Sequence, residues 1–206
     1  MKFTFDKTKA ALVVVDMQKL FTLPSSPYGN DASEMIAPIN ELMQLSRETD
    51  IPVIHSAYTL KKDGSQNGLR TDWPQIEEGY FDPNSDWAQW DERLEQKDED
   101  YILTRTRPSV FFDGQLTQIL KKLGKEQVIL LGLSTNYSIS FSVHEGFSRD
   151  IPIFLVDDLS NMTAFEDRSQ KSFLHNTLDM WACQLISSKD IGKTIVNENT
   201  LLEDFS

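Results

Sequence analysis

The stretch Ala11-Leu-Val-Val-Val-Asp16-Met-Gln18 decides the fold of this chain. It opens with five consecutive apolar residues, three of them β-branched valines, which is typical of a strand buried on both faces at the centre of a parallel sheet. The run stops at Asp16, a carboxylate whose burial is unfavourable unless it meets a partner or a cleft. In open α/β sheets, ligands bind at this end of the strands. Asp16 is therefore a candidate site residue; the alternative is that it only caps the next turn.

The composition is that of an ordinary globular chain. Its 206 residues suit one core, so a single domain over residues 1–206 is expected, and 39% hydrophobic and 25% charged residues do not indicate disorder. The net charge of −12 argues against nucleic acid or an anionic membrane surface as a partner. One cysteine, Cys183, excludes an internal disulfide and a cysteine-based metal site. The first apolar run is too short to span a membrane and has no small-residue cleavage site, so we expect a cytoplasmic protein.

Strands and helices alternate along the rest of the chain. Apolar runs predict further strands at 52–58, 101–104, 127–132, 151–156 and 183–186. Helical spacing predicts helices at 31–50, 113–123, 138–149 and 166–180, with a loop at 19–30. This alternation predicts βαβ units and a parallel sheet with helices on both faces.

Residues 61–100 interrupt that alternation. The segment is polar and acidic, and it carries Trp73, Trp87 and Trp90, three of the four tryptophans. A connection of this length inside a compact domain is usually functional. Its aromatic side chains are expected either to wall a pocket or to pin a long loop to the body of the protein.

Polar groups are expected at the ends of three strands: Asp16, Arg105 and the turn from Ser134 to Ser138. Since the carboxyl ends of parallel strands share one edge of the sheet, these groups can converge although they are far apart in sequence. Ser138 lies where the helix after the fourth strand is predicted to begin, and unpaired N–H groups there favour an anion or oxyanion. The alternative for Ser138 is an ordinary residue at a helix N-terminus.

Three motifs together resemble the isochorismatase-like hydrolase superfamily. They are Val13-Val-Val-Asp16-Met-Gln18 followed by Phe21, then Arg105-Thr-Arg-Pro-Ser-Val-Phe-Phe112, and then Gly132-Leu-Ser-Thr-Asn-Tyr-Ser138. The resemblance extends over residues 9–190. It implies a three-layer αβα fold with a doubly wound, six-stranded parallel sheet of order 3-2-1-4-5-6, in which Asp16 and Ser138 flank the switch point. It also implies a homo-oligomer, a dimer or larger.

The sequence departs from that superfamily at two positions. Many members act on amides with an Asp-Lys-Cys triad; here Asp16 matches the aspartate, but Arg105 stands at the lysine position and Ser138 at the cysteine position. A hydroxyl is far less acidic than a thiol, and arginine does not release a proton. Cys183, in the last predicted strand, is expected in the core. A cysteine-nucleophile amidase is therefore disfavoured.

The isochorismatase branch does not use a cysteine, because it cleaves a vinyl ether and releases pyruvate with the aspartate as general acid. The resemblance then implies that Asp16 protonates the substrate, that Arg105 clamps a substrate carboxylate, and that the turn from Ser134 to Ser138 binds an oxygen anion. Two alternatives stay open. The protein is an amide or ester hydrolase with Ser138 as nucleophile, or a degenerate relative that binds a ligand without turnover.

Eight further residues are expected to contact a small anionic substrate: Gln18, Phe21, His55, Tyr58, Trp73, Leu133, Ser134 and Tyr137. Tyr58 stands where isochorismatases usually carry a glutamine. The Asp-x-His-x-x-His zinc cluster of related nicotinamidases and a glycine-rich phosphate loop are both missing, so neither a metal nor another cofactor is expected. His55 either faces the cleft or is a satisfied, half-buried histidine, while His144 and His175 are expected on helix surfaces.

Overall fold

A six-stranded parallel sheet organises the computed structural model, which describes residues 2–29, 31–70, 73–162 and 170–196. Its order is β3-β2-β1-β4-β5-β6, so the predicted fold class and strand order are confirmed. The strands are β1 (Ala10–Val15), β2 (Val53–Tyr58), β3 (Tyr101–Arg105), β4 (Gln127–Leu133), β5 (Ile153–Asn161) and β6 (Gln184–Ile186). All neighbouring strands pair in parallel. The order reverses between β1 and β4, which is where this class of sheet binds ligands.

Helices cover both faces of the sheet. They are α1 (Lys19–Thr22), α2 (Ser33–Glu48), α3 (Pro74–Glu77), α4 (Gln115–Leu123), α5 (Ser140–Ser148), α6 (Lys171–Trp181) and α7 (Ser188–Val196). Every residue of β1 is fully buried, because β2 and β4 flank it and helices pack above and below. Leu12 and Val14 pack into one apolar cluster, and Val13 and Val15 into the cluster on the opposite face. Each such side chain contributes roughly 1.5–3 kcal/mol, so the two-sided burial fixes β1 as the central strand.

Most element boundaries fall within a few residues of the sequence predictions, and the exceptions have physical reasons. The expected loop at 19–30 begins with the short helix α1, and α3 and α7 were not predicted. Helix α4 begins only at Gln115 because Gly114 has a left-handed backbone, with φ of 81°. β5 continues to Asn161. The predicted helix 166–180 corresponds to α6 over its described part, and residues 163–169 lie outside the described residues.

The long segment after β2 lies against the carboxyl edge of the sheet in short turns. Lys19 on α1 binds two of its carboxylates, Asp86 at 2.8 Å and Glu92 at 2.7 Å. Gln18 forms an isolated antiparallel bridge with Trp90, and Trp87 stacks on Tyr80 with ring centroids 5.8 Å apart. These contacts pin the segment to the body of the protein. Among the described residues, no helix combines the length and apolar character needed to cross a membrane.

Candidate active site

Three polar side chains from separate parts of the chain meet at the switch point. Asp16 follows β1, Arg105 ends β3, and Ser138 lies in a π-helical turn, Thr135–Ile139, after β4. The Arg105 Nη2 is 2.8 Å from both carboxylate oxygens of Asp16, and the Ser138 hydroxyl donates to the Asp16 Oδ2 at 2.5 Å. Arg105 and Ser138 are 89 and 122 residues from Asp16 in sequence. The structure therefore brings the three predicted catalytic side chains into contact.

The backbone around Asp16 needs an unusual local path. Asp16 has a left-handed φ of 53°, a conformation that aspartate tolerates better than most residues, and its N–H donates to the Ser56 carbonyl at 2.8 Å. Opposite Val15 in β4 stands Gly132, with φ of 117°. A Cβ at Gly132 would lie 2.1 Å from the Val15 carbonyl oxygen. Glycine therefore lets β4 run close to β1 at the point where Asp16 leaves the sheet.

Opposing effects set the ionisation of Asp16. Burial is the largest effect and raises the pKa of this carboxyl, while the Arg105 guanidinium and the Ser138 hydroxyl act in the opposite direction. The net result is a pKa above the ordinary value for aspartate. A raised pKa makes the protonated acid more accessible than it is for an ordinary aspartate, which is the direction that a proton donor requires.

A cavity of about 210 Å³ opens beside this carboxyl. Its walls carry six aromatic rings and four polar residues, namely Phe21, Tyr28, Tyr58, Trp73, Phe81, Tyr137, Asp16, Ser134, Asn136 and Ser138. The aromatic rings touch one another; Trp73 and Phe81, for example, have centroids 5.7 Å apart. Pockets for drug-sized ligands are commonly about 300–1,000 Å³. This cavity therefore suits a small substrate.

Five of the eight predicted substrate contacts line the cavity: Phe21, Tyr58, Trp73, Ser134 and Tyr137. Their roles stay predictions.

The other three predicted contacts, Gln18, His55 and Leu133, are fully buried and are not among the lining residues, so their predicted contact with a substrate gains no support from the cavity. The Gln18 amide donates to the Ala88 carbonyl at 2.8 Å and accepts from the Tyr58 N–H at 2.9 Å, which makes it a link between backbone segments. Leu133 is fully buried in the apolar core at the end of β4.

His55 is fully buried rather than half-buried, and it serves a network away from the cavity. Its Nε2 is 3.0 Å from the Asp100 carboxylate, and its ring packs edge-on against Trp90. Asp100 also accepts hydrogen bonds from Arg47 at 2.6 and 2.9 Å. Arg47 and His55 thus supply hydrogen-bond partners for the Asp100 carboxylate, beside the paired strands β2 and β3.

Arg105 also differs from the sequence prediction. Its side chain is 0% exposed, it points to Asp16, and its Nη1 donates to the Arg107 carbonyl at 3.3 Å. Arg105 is not among the residues that line the cavity. In this arrangement it holds the Asp16 carboxylate rather than clamping a substrate carboxylate.

Another arginine lies beside the cavity and was not predicted. The guanidinium carbon of Arg70 lies 4.0 Å from the ring centroid of Trp73 and 5.9 Å from that of Tyr137. Together with Arg107 it lines an adjoining cavity of about 360 Å³ that shares Tyr58 and Tyr137 with the first. Arg70 lies in the segment 61–100, which has no periodicity, so nothing in the sequence pointed to it.

Three other lining residues were also missed. Asn136 lies inside the motif already singled out, so that turn could have indicated it. Tyr28 and Phe81 lie in segments without regular periodicity, and no sequence signal marks them.

Cys183 and two of the histidines can also be compared with the sequence predictions. Cys183 is fully buried, as expected, and burial raises the pKa of its thiol to about 12. His144 is exposed, as expected. His175, expected on a helix surface, is only 1% exposed, so that prediction is wrong. Within the described ranges no group of three or more His, Cys, Asp or Glu side chains is arranged to hold a metal ion.

Comparisons with known proteins agree on one family. The profile of the Isochorismatase domain matches residues 10–188. A "Probable isochorismatase" of Pseudomonas chlororaphis is 28% identical over 159 residues, covering 76% of this chain and 73% of the relative. "Phenazine biosynthesis protein PhzD" of Pseudomonas fluorescens is 28% identical over 157 residues, covering 74% and 72%. The "Isochorismatase" of Bacillus subtilis is 26% identical over 157 residues, covering 74% of this chain and 48% of that longer protein.

Solved structures share the fold at lower identity. A cysteine hydrolase from Pseudomonas syringae pv. phaseolicola superposes with a TM-score of 0.83 at 19% identity, covering 95% of this chain and 96% of that one. An isochorismatase family protein from Desulfovibrio vulgaris gives a TM-score of 0.79 at 18% identity, covering 92% and 99%. At such identities the likeness concerns the fold alone.

Proposed function

This chain belongs to the isochorismatase family of hydrolases, and from that premise we propose that it hydrolyses the vinyl ether of a small anionic substrate, isochorismate or a close analogue, with release of pyruvate. The observation that carries the proposal is the Asp16 carboxyl at the head of an aromatic cavity. Burial raises the pKa of that carboxyl, and none of the residues that line the cavity is a cysteine. This is the setting of a general acid.

In the proposed reaction Asp16 gives its proton to the terminal carbon of the vinyl ether. The electron pair of the double bond forms the new C–H bond and leaves an oxocarbenium ion at the ether carbon. A water molecule adds to that carbon and returns a proton to Asp16. The resulting hemiketal breaks down to pyruvate and the alcohol, so one water molecule is consumed and the carboxyl ends in its starting state.

Arg105 and Ser138 would position this acid. Arginine keeps its charge at working pH, so it does not take part in the proton transfer. Its Nη2 contacts both oxygens of Asp16 and so fixes the plane of the carboxyl group. Ser138 bonds only Oδ2, and its hydroxyl can donate to the carboxylate or accept from the carboxylic acid as the proton moves.

Arg70 is the group that we expect to receive the anionic part of the substrate. It lies on the wall made by Trp73 and Tyr137, in a chain whose net charge is otherwise strongly negative. Arg70→Gln should raise KM about tenfold to a hundredfold with a smaller change in kcat. A rise of this size corresponds to the loss of one charge-assisted hydrogen bond to the substrate. Lys62→Gln removes the same charge from an exposed position of the same segment and should leave KM unchanged. Equal effects of the two changes would contradict the role of Arg70.

The first test is pyruvate release from isochorismate by the wild type and by Asp16→Asn. Asparagine tolerates the left-handed backbone at this position and keeps an oxygen for Ser138 to bond. Since general acid catalysis contributes roughly 10²–10⁴-fold, kcat should fall by at least about a hundredfold. The change also leaves Arg105 buried without its carboxylate, so the melting temperature should fall by about 10 °C, and turnover is compared on protein shown to be folded at the assay temperature. Turnover at the wild-type rate by Asp16→Asn would refute the assignment. Tight binding of isochorismate without turnover by the wild type would favour the degenerate relative.

One observation favours a second candidate, an amide or ester hydrolase with Ser138 as nucleophile. The Ser138 hydroxyl lies 2.5 Å from a carboxylate oxygen and lines the cavity, which is the geometry of a nucleophile beside its base. Ser138→Ala separates the two candidates. In Ser138→Ala the vinyl ether reaction should survive with kcat lowered about tenfold to a hundredfold, because the variant loses one hydrogen bond to a charged group. Complete loss together with a covalent adduct on Ser138 in the wild type, seen by mass spectrometry, would establish the second candidate instead.

A further inference from the structure

A buried histidine lies directly behind the turn that carries Ser138. His175, on α6, is 1% exposed, and both of its ring nitrogens have partners. Nδ1 contacts the carboxylate of Asp157 on β5, and Nε2 is 3.2 Å from the hydroxyl oxygen of Thr135. Three elements are thereby joined in one chain of hydrogen bonds: strand β5 through its exposed Asp157, helix α6 and the π-helical turn.

The chemistry of the three groups fixes the direction of these bonds. A carboxylate only accepts, so Nδ1 carries the hydrogen and donates to Asp157. Burial is the largest influence on the ring and lowers the pKa of His175 despite the nearby carboxylate, which favours the neutral form near pH 7. In the neutral ring Nε2 is then an acceptor, and the Thr135 hydroxyl donates to it.

Thr135 is the first residue of the π-helical turn, a rare local geometry that often occurs at functional sites. Ser134, on one side of Thr135, and Asn136 to Ser138, on the other, line the cavity. The turn that Thr135 begins therefore also carries Ser138, whose hydroxyl donates to Asp16.

We propose that Asp157 and His175 are positioning residues for the active site: the Asp157 carboxylate selects the His175 tautomer, and that tautomer holds the Thr135 hydroxyl and with it the turn that presents Ser138 to Asp16. The effect on turnover rests on the proposed function. The tautomer and the geometry of the turn do not, and they can be measured without a substrate.

Asp157→Asn tests the chain with little disturbance of packing, because this side chain is 53% exposed. The carboxylate can only accept from Nδ1, whereas the asparagine amide also offers Nδ1 a donor. The pairing that uses this donor puts the ring hydrogen on Nε2, where it points at Thr135 and displaces its donated hydrogen bond. Asp158→Asn is the matched control. It removes the same charge from the next residue of β5, whose carboxylate accepts instead from the N–H and hydroxyl of Ser188.

The first readout is nuclear magnetic resonance of the free protein. Long-range ¹H–¹⁵N spectra should give the Nδ1–H tautomer of His175 in the wild type and in Asp158→Asn, and should show the Nε2–H tautomer populated in Asp157→Asn. The backbone amides of residues 135–138 should shift in Asp157→Asn alone. An unchanged tautomer, or amide shifts at the turn that match those of the control, would overturn the proposal even if the wild type turns over no vinyl ether.

The second readout is kinetic and uses the pyruvate assay. Asp157→Asn should lower kcat roughly tenfold or more with a smaller change in KM, because the acid and its partner are displaced while five of the six aromatic residues of the cavity lie outside the turn. Thr135→Val removes the hydroxyl, so adding it to Asp157→Asn should cause no further loss. Additive losses, or a kcat equal to that of Asp158→Asn, would overturn the proposal for turnover.

Discussion

Replacing Arg105 by methionine tests the ion pair on which the site depends. Arg105 and Asp16 are both buried, with side chains 0% and 2% exposed, and the guanidinium is the cation in contact with the carboxylate. Removing one member of a buried pair typically costs about 3–5 kcal/mol because the other charge is left without a partner. For a chain of this length that corresponds to a fall in melting temperature of about 10 °C.

The loss of stability should depend on pH with a definite sign. Burial already raises the pKa of Asp16, and Arg105 opposes that rise, so Arg105→Met raises the pKa of Asp16 further. With a folded-state pKa above the unfolded value of about 3.9, the native state holds the proton more tightly than the unfolded chain does. Stability is then fully present below the unfolded pKa and is lost as the pH rises through the folded pKa. Urea unfolding of Arg105→Met between pH 4 and 8 should show this falling slope.

The double variant Asp16→Asn/Arg105→Met supplies the control. It removes both charges, so it should recover about 2 kcal/mol or more of the loss and should not show the slope that Asp16 causes. The reasoning is refuted if Arg105→Met unfolds at nearly the wild-type urea concentration at pH 7, or if the double variant is no more stable than Arg105→Met.

Three other predictions concern stability and reactivity. Gly132→Ala should destabilise the fold by about 3 kcal/mol or more, because its Cβ would overlap the Val15 carbonyl. Gly114→Ala is the control: this glycine also has a positive φ but lies in open space, so its replacement should cost only about 1–2 kcal/mol. Equal melting temperatures of the two variants would contradict this. Burial alone would raise the pKa of Asp100, but its hydrogen bonds, led by the one from Arg47, lower it. The stability that this carboxylate contributes is therefore present above the unfolded pKa and is lost as the pH falls through the folded pKa. Asp100→Asn should flatten the acid side of a plot of urea midpoint against pH, and an unchanged plot would count against this. Cys183, with a pKa of about 12 and no exposure, should react with a disulfide reagent at pH 8 only after unfolding; rapid labelling of the native protein would disprove this.

The carboxyl ends of parallel strands share one edge of the sheet, and this rule was enough to predict which residues of the site meet. The apolar run before Asp16 identified the central strand, and the common edge of a parallel sheet then placed Arg105 and Ser138 near it. The direction in which each side chain points was not predictable in this way. Arg105 turns inward and pairs with the buried carboxylate of Asp16, and this contact depends on the packing of three strands.

Two further parts of the site depended on tertiary contacts. The segment 61–100 has no periodicity, so its rings could not be assigned to the cavity or to the body; Trp73 lines the cavity, whereas Trp87 and Trp90 pack elsewhere. His175 was expected at the surface because a single histidine in a helix carries no signal of the face it occupies. Its burial follows from the contact of α6 with the turn after β4.

The left-handed backbone at Asp16 also bears on how this position can change in evolution. Most L-residues lose about 1–2 kcal/mol in that conformation, whereas asparagine and glycine adopt it readily. A lineage that gives up the reaction but keeps the fold should therefore pass most easily to asparagine or glycine at position 16. A saturation library at this position, sorted for folded protein alone, should recover those two residues first; enrichment of valine or isoleucine would show that the backbone imposes no such filter.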